Sequence, residues 1–81
     1  MENNKNKINI QAFKPRSTWI EEVIFDFDRL RAVITTTSGK EYVVSGFSGV
    51  AELMAFRYAD SYGRWFNQHI RDHKTVDKIA S

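Results

Sequence analysis

Residues 19–37 hold two apolar alternations separated by a two-residue polar break, and they leave the chain little choice. Val23, Phe25 and Phe27 alternate with Glu22, Ile24 and Asp26, and after Asp28-Arg29 a β-branched run extends from Leu30 to Thr37. A period of two is the signature of a strand with one face buried. Folded about Asp28-Arg29, the pair opposes Phe27 with Leu30, Phe25 with Ala32 and Val23 with Ile34 on one face. Asp26 then meets Arg31, and Ile24 meets Val33, on the other face. Opposite charges and apolar partners both fall into register, and a one-residue slip would destroy both matches. An antiparallel sheet is therefore predicted, with Trp19 to Phe27 as its first long strand.

Ser38-Gly39 predicts a second turn into Lys40 to Ser45. A two-residue loop sets Tyr42 against Thr35; a three-residue loop sets it against Thr36. The second puts Tyr42 and Val44 on the Phe25 face and is preferred for that reason. Gly46 to Gly49 closes the meander, with Ser48 as the expected N-cap of a helix over Val50 to Tyr58. Val50, Leu53, Met54 and Phe56 are its expected inward face. A second helix, capped by Ser61 or by Asp60 just before it, is predicted from Ser61 or Tyr62 to about His73. Tyr62, Trp65, Phe66, His69, Ile70 and His73 form its apolar stripe. The resulting fold class is α+β: a three-stranded antiparallel β-meander packed against two C-terminal helices. Residues 1–16 read as a flexible basic arm, of which Ile8, Ile10 and Phe13 can add an edge strand. Residues 17–73 read as the domain and 74–81 as a tail.

With the elements placed, three motifs resemble the KTSC family, which is found at the C-terminus of some lysyl-tRNA synthetases and as stand-alone bacterial and phage proteins. Val23, Phe25 and Asp26 match its first strand motif, with Phe for Tyr. Ser38, Gly39 and Tyr42 match the second, with Val44 where the family carries another tyrosine. Ala59, Ser61, Gly63, Phe66, Asn67, Ile70 and Arg71 match the third, with Trp65 for Tyr. The similarity covers about residues 17–73. It implies a small RNA-binding domain, with Ser61, Gly63, Phe66, Asn67 and Ile70 as its structural motif.

Charge placement bears on the same question. The 81 residues carry a net charge of +2, but the positive charge sits at the two ends. Lys5, Lys7, Lys14 and Arg16 face only Glu2, and Arg64, Arg71, Lys74 and Lys78 face Asp72 and Asp77, while the middle of the chain is acidic. Lys14, Arg16, Arg64, Arg71 and Lys74, with the Tyr42 ring, are the candidate nucleic-acid-binding residues. The competing expectation is a protein-interaction module, such as a phage-type inhibitor or adaptor. It would use Ile24, Val33 and Val43, with Ile20, left over on the far sheet face.

Catalysis finds no support. His69 and His73 are one helical turn apart but lack further ligands, so no metal or cofactor is expected. The acids on the strands alternate outward, and Ser61-Tyr62-Gly63 lacks a nucleophile elbow's strand-to-helix setting. There is no cysteine, which excludes disulfides and thiolate metal sites. With no signal-peptide pattern or apolar run long enough for a membrane span, a cytoplasmic, non-enzymatic protein is expected.

Overall fold

The computed structural model describes residues 10–80. Five strands follow one another across one antiparallel sheet: β1 (Ile10–Phe13), β2 (Ile20–Asp26), β3 (Arg31–Thr36), β4 (Glu41–Ser45) and β5 (Thr75–Ala80). Two helices, α1 (Val50–Arg57) and α2 (Tyr62–Trp65), lie between β4 and β5. α2 continues into one wide π turn over Phe66–Ile70, where the Arg71 N–H donates to the Phe66 carbonyl at 2.9 Å. None of the described helices is long and apolar enough to cross a membrane. Two strands are thus added to the expected meander. Part of the expected arm is an edge strand, with Ile10 opposite Asp26 and Phe13 opposite Val23; Ile8 lies outside the described residues.

The first hairpin has the expected register. Val23 opposes Ile34, Ile24 opposes Val33, Phe25 opposes Ala32 and Asp26 opposes Arg31, with Phe27 to Leu30 turning beyond the ladder. Asp26 sits on the nominally solvated face, yet it is 5% exposed. Its carboxylate accepts the backbone N–H groups of Asp28 and Arg29, both at 3.1 Å, and the Arg29 guanidinium at 3.2 Å, and it forms an ion pair with Arg31 at 3.5 Å. These bonds close a turn that contains no glycine, and Leu30 is held at φ 54°.

Burial pushes the Asp26 carboxyl up, but the N–H and guanidinium of Arg29 and the N–H of Asp28 outweigh it and hold the group below its usual range. A carboxylate depressed in the folded state stabilises above its unfolded pKa, and that stability is lost as pH falls through the folded value. Asp26→Ala is therefore expected to cost about 2 kcal/mol at neutral pH. The difference from the parent protein should shrink in urea melts taken toward pH 3. An equal loss at both pH values would separate Asp26 from the turn.

Several expectations are corrected. Tyr42 opposes Ile34, not Thr35 or Thr36. The loop is Thr37-Ser38-Gly39, with Gly39 at φ 90° and the Thr36 hydroxyl accepting the Lys40 N–H at 3.0 Å. The displacement is two positions, so Tyr42 and Val44 keep the expected face. Ile20, assigned to the far face, is in the core at 1% exposure. A bulge between Ile20 and Glu22 breaks the alternation and turns both Ile20 and Val23 inward.

Residues 75–80, expected as tail, pair with β4, placing Val76 opposite Val44 and Asp77 opposite Val43. The expected helix to His73 ends early because the Ile70 carbonyl takes the N–H groups of both His73 and Lys74.

The helices cover the face that carries Val23, Phe25, Ala32, Ile34 and Val44, closing the core with Phe47, Leu53, Phe56, Tyr62 and Ile70. α1 is only two turns long, so Leu53 and Phe56 use up its inward stripe. Val50 and Met54 are left at the margin, 52% and 36% exposed. Its N-cap is Gly49, not Ser48; the Ser48 N–H donates instead to Glu52 Oε1 at 2.8 Å. Ser61 does cap α2, accepting the Arg64 N–H at 3.3 Å.

Candidate nucleic-acid interface

The link between β1 and β2, residues 14–19, runs past the α1–α2 joint and the start of α2. It is fixed at its far end, where the Ser17 hydroxyl accepts the N–H groups of Trp19 and Ile20 at 3.3 and 3.1 Å. The Thr37 N–H donates to the Trp19 carbonyl at 2.9 Å. Gly63 faces Trp19 so closely that a side-chain carbon there would sit 2.9 Å from the indole Nε1. Glycine is needed at this position for approach, not for turn geometry.

Three depressions line up along this link. The first, of about 510 Å³, lies between Lys14, Arg16, Arg57 and Tyr58, with Phe13 and Tyr62 beneath and Asp60 on its rim. The second, of about 500 Å³, lies between Arg16 and Arg64 with Ser61 and Asn67. Trp19 forms a wall of the second and also of a third, of about 420 Å³, reaching Lys40, Tyr42 and Phe66. Arg16 is shared by the first and second and Trp19 by the second and third, so the three adjoin in a row, a track along the link. Asp60 is the one carboxylate among its lining residues.

Rings and cations interleave at the start of the track. The Arg57 guanidinium lies 3.6 Å from the Phe13 ring centroid and 4.7 Å from that of Tyr58. Its Nε donates to Gln11 Oε1 at 3.2 Å. Tyr58 is 66% exposed. Tyr62 beneath is buried, its hydroxyl donating to the Arg57 carbonyl at 2.6 Å; desolvation raises its pKa, which keeps the phenol a donor. Arg16, Arg57 and Arg64 make no ion pair among the described residues.

Of the residues singled out from sequence, Lys14, Arg16, Arg64 and Tyr42 lie on this track, and Ser61, Gly63, Phe66 and Asn67 build its wall. Ile70 is buried beneath the wide turn. Arg71 is exposed but lines none of the three depressions. Lys74 stands apart: its side chain is 6% exposed and its Nζ is 2.9 Å from Glu52 Oε2 and 5.0 Å from the Phe47 centroid. It ties the segment before β5 to α1 and to the β4–α1 loop, and it lines none of the three depressions.

Arg57 and Tyr58 were missed because on α1 alone they read as solvated surface; only Phe13, from a distant strand, reveals the stack. His69 rests 4.5 Å from the Trp65 ring and His73 is exposed. Among the described residues no group of three or more acids and histidines is placed to hold a metal.

The sheet face opposite the helices carries a row that runs Ala12, Ile24, Val33, Val43, Asp77 across all five strands. The expected interaction residues Ile24, Val33 and Val43 are thus neighbours, each half-buried, beside a row containing Glu22, Thr35 and Glu41. Neither a model of a known protein family nor a curated protein matches this chain.

Proposed function

We propose that the protein is a small non-enzymatic binding module that holds single-stranded RNA along the track from Tyr58 to Trp19 and acts in the cytoplasm. The observation that carries the reading is the sharing of walls. Lys14, Arg16 and Arg57 line the first depression and Arg16 and Arg64 the second, so cations continue from one to the next, and the exposed Tyr58 ring offers a base-stacking face. The charge distribution supports it, because Glu22, Glu41 and Asp77 lie on the opposite sheet face. The KTSC-like motif supports it too, since its residues Ser61, Gly63, Phe66 and Asn67 form one bank of the track.

Binding of a fluorescent oligouridylate should weaken steeply with salt, with a slope of about −0.7 per neutralised phosphate. Arg16→Ala with Arg64→Ala should flatten that slope by about 1.4, for two lost phosphate contacts, and lower affinity in low salt at least tenfold. Affinity indifferent to salt, or to this double change, would refute the reading.

The second reading, protein capture by the outer face, is favoured by the Ile24–Val33–Val43 row. Val33→Glu should abolish self-association or partner binding there and leave RNA affinity unchanged.

A further inference from the structure

We propose that the cavity between Trp19 and the β3–β4 hairpin is a nucleotide pocket. It would take one base among its rings and the attached phosphate at Lys40. The ligand class is a nucleoside monophosphate, free or as a residue of a strand lying on the track. The inference rests on the RNA reading for the strand and not for the free nucleotide.

Size and chemistry both select this class. At about 420 Å³ the cavity falls within the roughly 300–1,000 Å³ of small-ligand clefts. Trp19, Tyr42 and Phe66 each present an aromatic ring to it, and a flat base gains from stacking on such rings whatever its identity. Most polar residues of the lining belong to the hairpin, namely Thr36, Thr37, Ser38 and Lys40, and Lys40 is the one cation. No carboxylate lines the cavity, so an anion is admitted and a cation gains nothing. Alkyl ligands would use the rings but leave Lys40 without a partner.

The local structure holds these groups in place. Phe66 meets Trp19 edge to face at 5.2 Å between centroids. Phe66 also opens the single π turn, a distortion found often at functional sites. Trp19 is held by Gly63 behind it and by its carbonyl bond to the hairpin. The hairpin is pinned by the Thr36 hydroxyl, which bonds the Lys40 N–H at 3.0 Å and lies 3.0 Å from Ser38 Oγ. The walls are therefore set without a ligand. Because Trp19 is also a wall of the groove that holds Arg16 and Arg64, the pocket adjoins that groove across the Trp19 side chain.

The test uses the full chain, labelled with ¹⁵N, titrated separately with the four 5′-nucleoside monophosphates, with uridine and with ribose 5-phosphate. The nucleotides should shift the Trp19 indole N–H and the Lys40 and Ser38 amides, and ribose 5-phosphate should bind at least tenfold more weakly because it has no base to stack. Lys40→Ala, a surface change that leaves the core intact, should weaken nucleotides about fivefold to tenfold and leave uridine unaffected.

Equal binding of ribose 5-phosphate, a silent Trp19 indole, or nucleotide affinity untouched by Lys40→Ala would overturn the pocket. An oligouridylate titrated in parallel separates the two proposals. Salt-sensitive oligonucleotide binding with no response to any mononucleotide removes the pocket and leaves the track. Mononucleotide binding without oligonucleotide binding removes the track and leaves the pocket.

Discussion

Phe56→Ala should cost about 3–5 kcal/mol, since burying a large ring and then deleting it leaves a cavity that the surroundings fill only in part. Phe56 is the hub of the aromatic core: fully buried, 5.5 Å from Phe25, 6.3 Å from Phe47, 5.1 Å from Tyr62 and 4.9 Å from Trp65 between centroids. These four rings come from β2, the β4–α1 loop and α2, so one side chain ties both helices to the sheet. Domains of this size have little stability to spare, and a loss of this order should leave a substantial unfolded fraction at 37 °C. Urea denaturation should show a lower midpoint with an unchanged slope. A cost below about 1 kcal/mol would mean that the helices are held by something other than this cluster.

Lys74→Ala should cost about 2 kcal/mol, as much as any change outside the hydrophobic core. The ammonium is nearly excluded from water while Glu52 is 29% exposed, so removing Lys74 strands a partly buried carboxylate rather than a fully buried one. Glu52 accepts the Ser48 N–H and the Lys74 ammonium, and these bonds hold its carboxyl below the usual range against the effect of burial. Its contribution is therefore present above the unfolded carboxylate pKa and fades as pH falls through the folded value. The parent protein should lose stability in acid more steeply than Lys74→Ala. The joint change Lys74→Met with Glu52→Met should recover most of the loss, because no unpaired charge remains. A joint variant as unstable as the single one would show that the Lys74 stem, not the pair, carries the effect.

What could be read in advance follows from how local the determinants are. The β2–β3 hairpin was legible because Asp26 and Arg31 report the register within a few residues of the turn. The β3–β4 register was not, since Thr35, Thr36 and Thr37 are chemically alike, and the Thr36 backbone and hydroxyl bonds to Lys40 that close the loop leave no mark in the sequence. The bulge at Glu21 leaves no sequence signal, so Ile20 was placed on the wrong face.

β5 was hidden because Val76 and Ile79 are three apart, a spacing that suits a helix, and because an edge strand that leaves Ile79 exposed needs no alternation. Lys74 was taken for a surface charge; nothing in its neighbours announces that Glu52 and Phe47 close over it. On the track, Arg16 and Arg64 could be found from the excess of positive charge at the chain ends. Arg57 and Tyr58 acquire meaning only when β1 brings Phe13 beneath them.

The most direct test of the central claim is a map of where RNA touches the protein. In a titration of the ¹⁵N-labelled chain with an unstructured oligouridylate, shifts should gather at Lys14, Arg16, Arg57, Tyr58, Arg64, Asn67 and the Trp19 indole, with Ile24, Val33, Val43 and Glu41 unmoved. Shifts confined to the outer-face row of Val33 and Val43, or scattered without saturation, would contradict it.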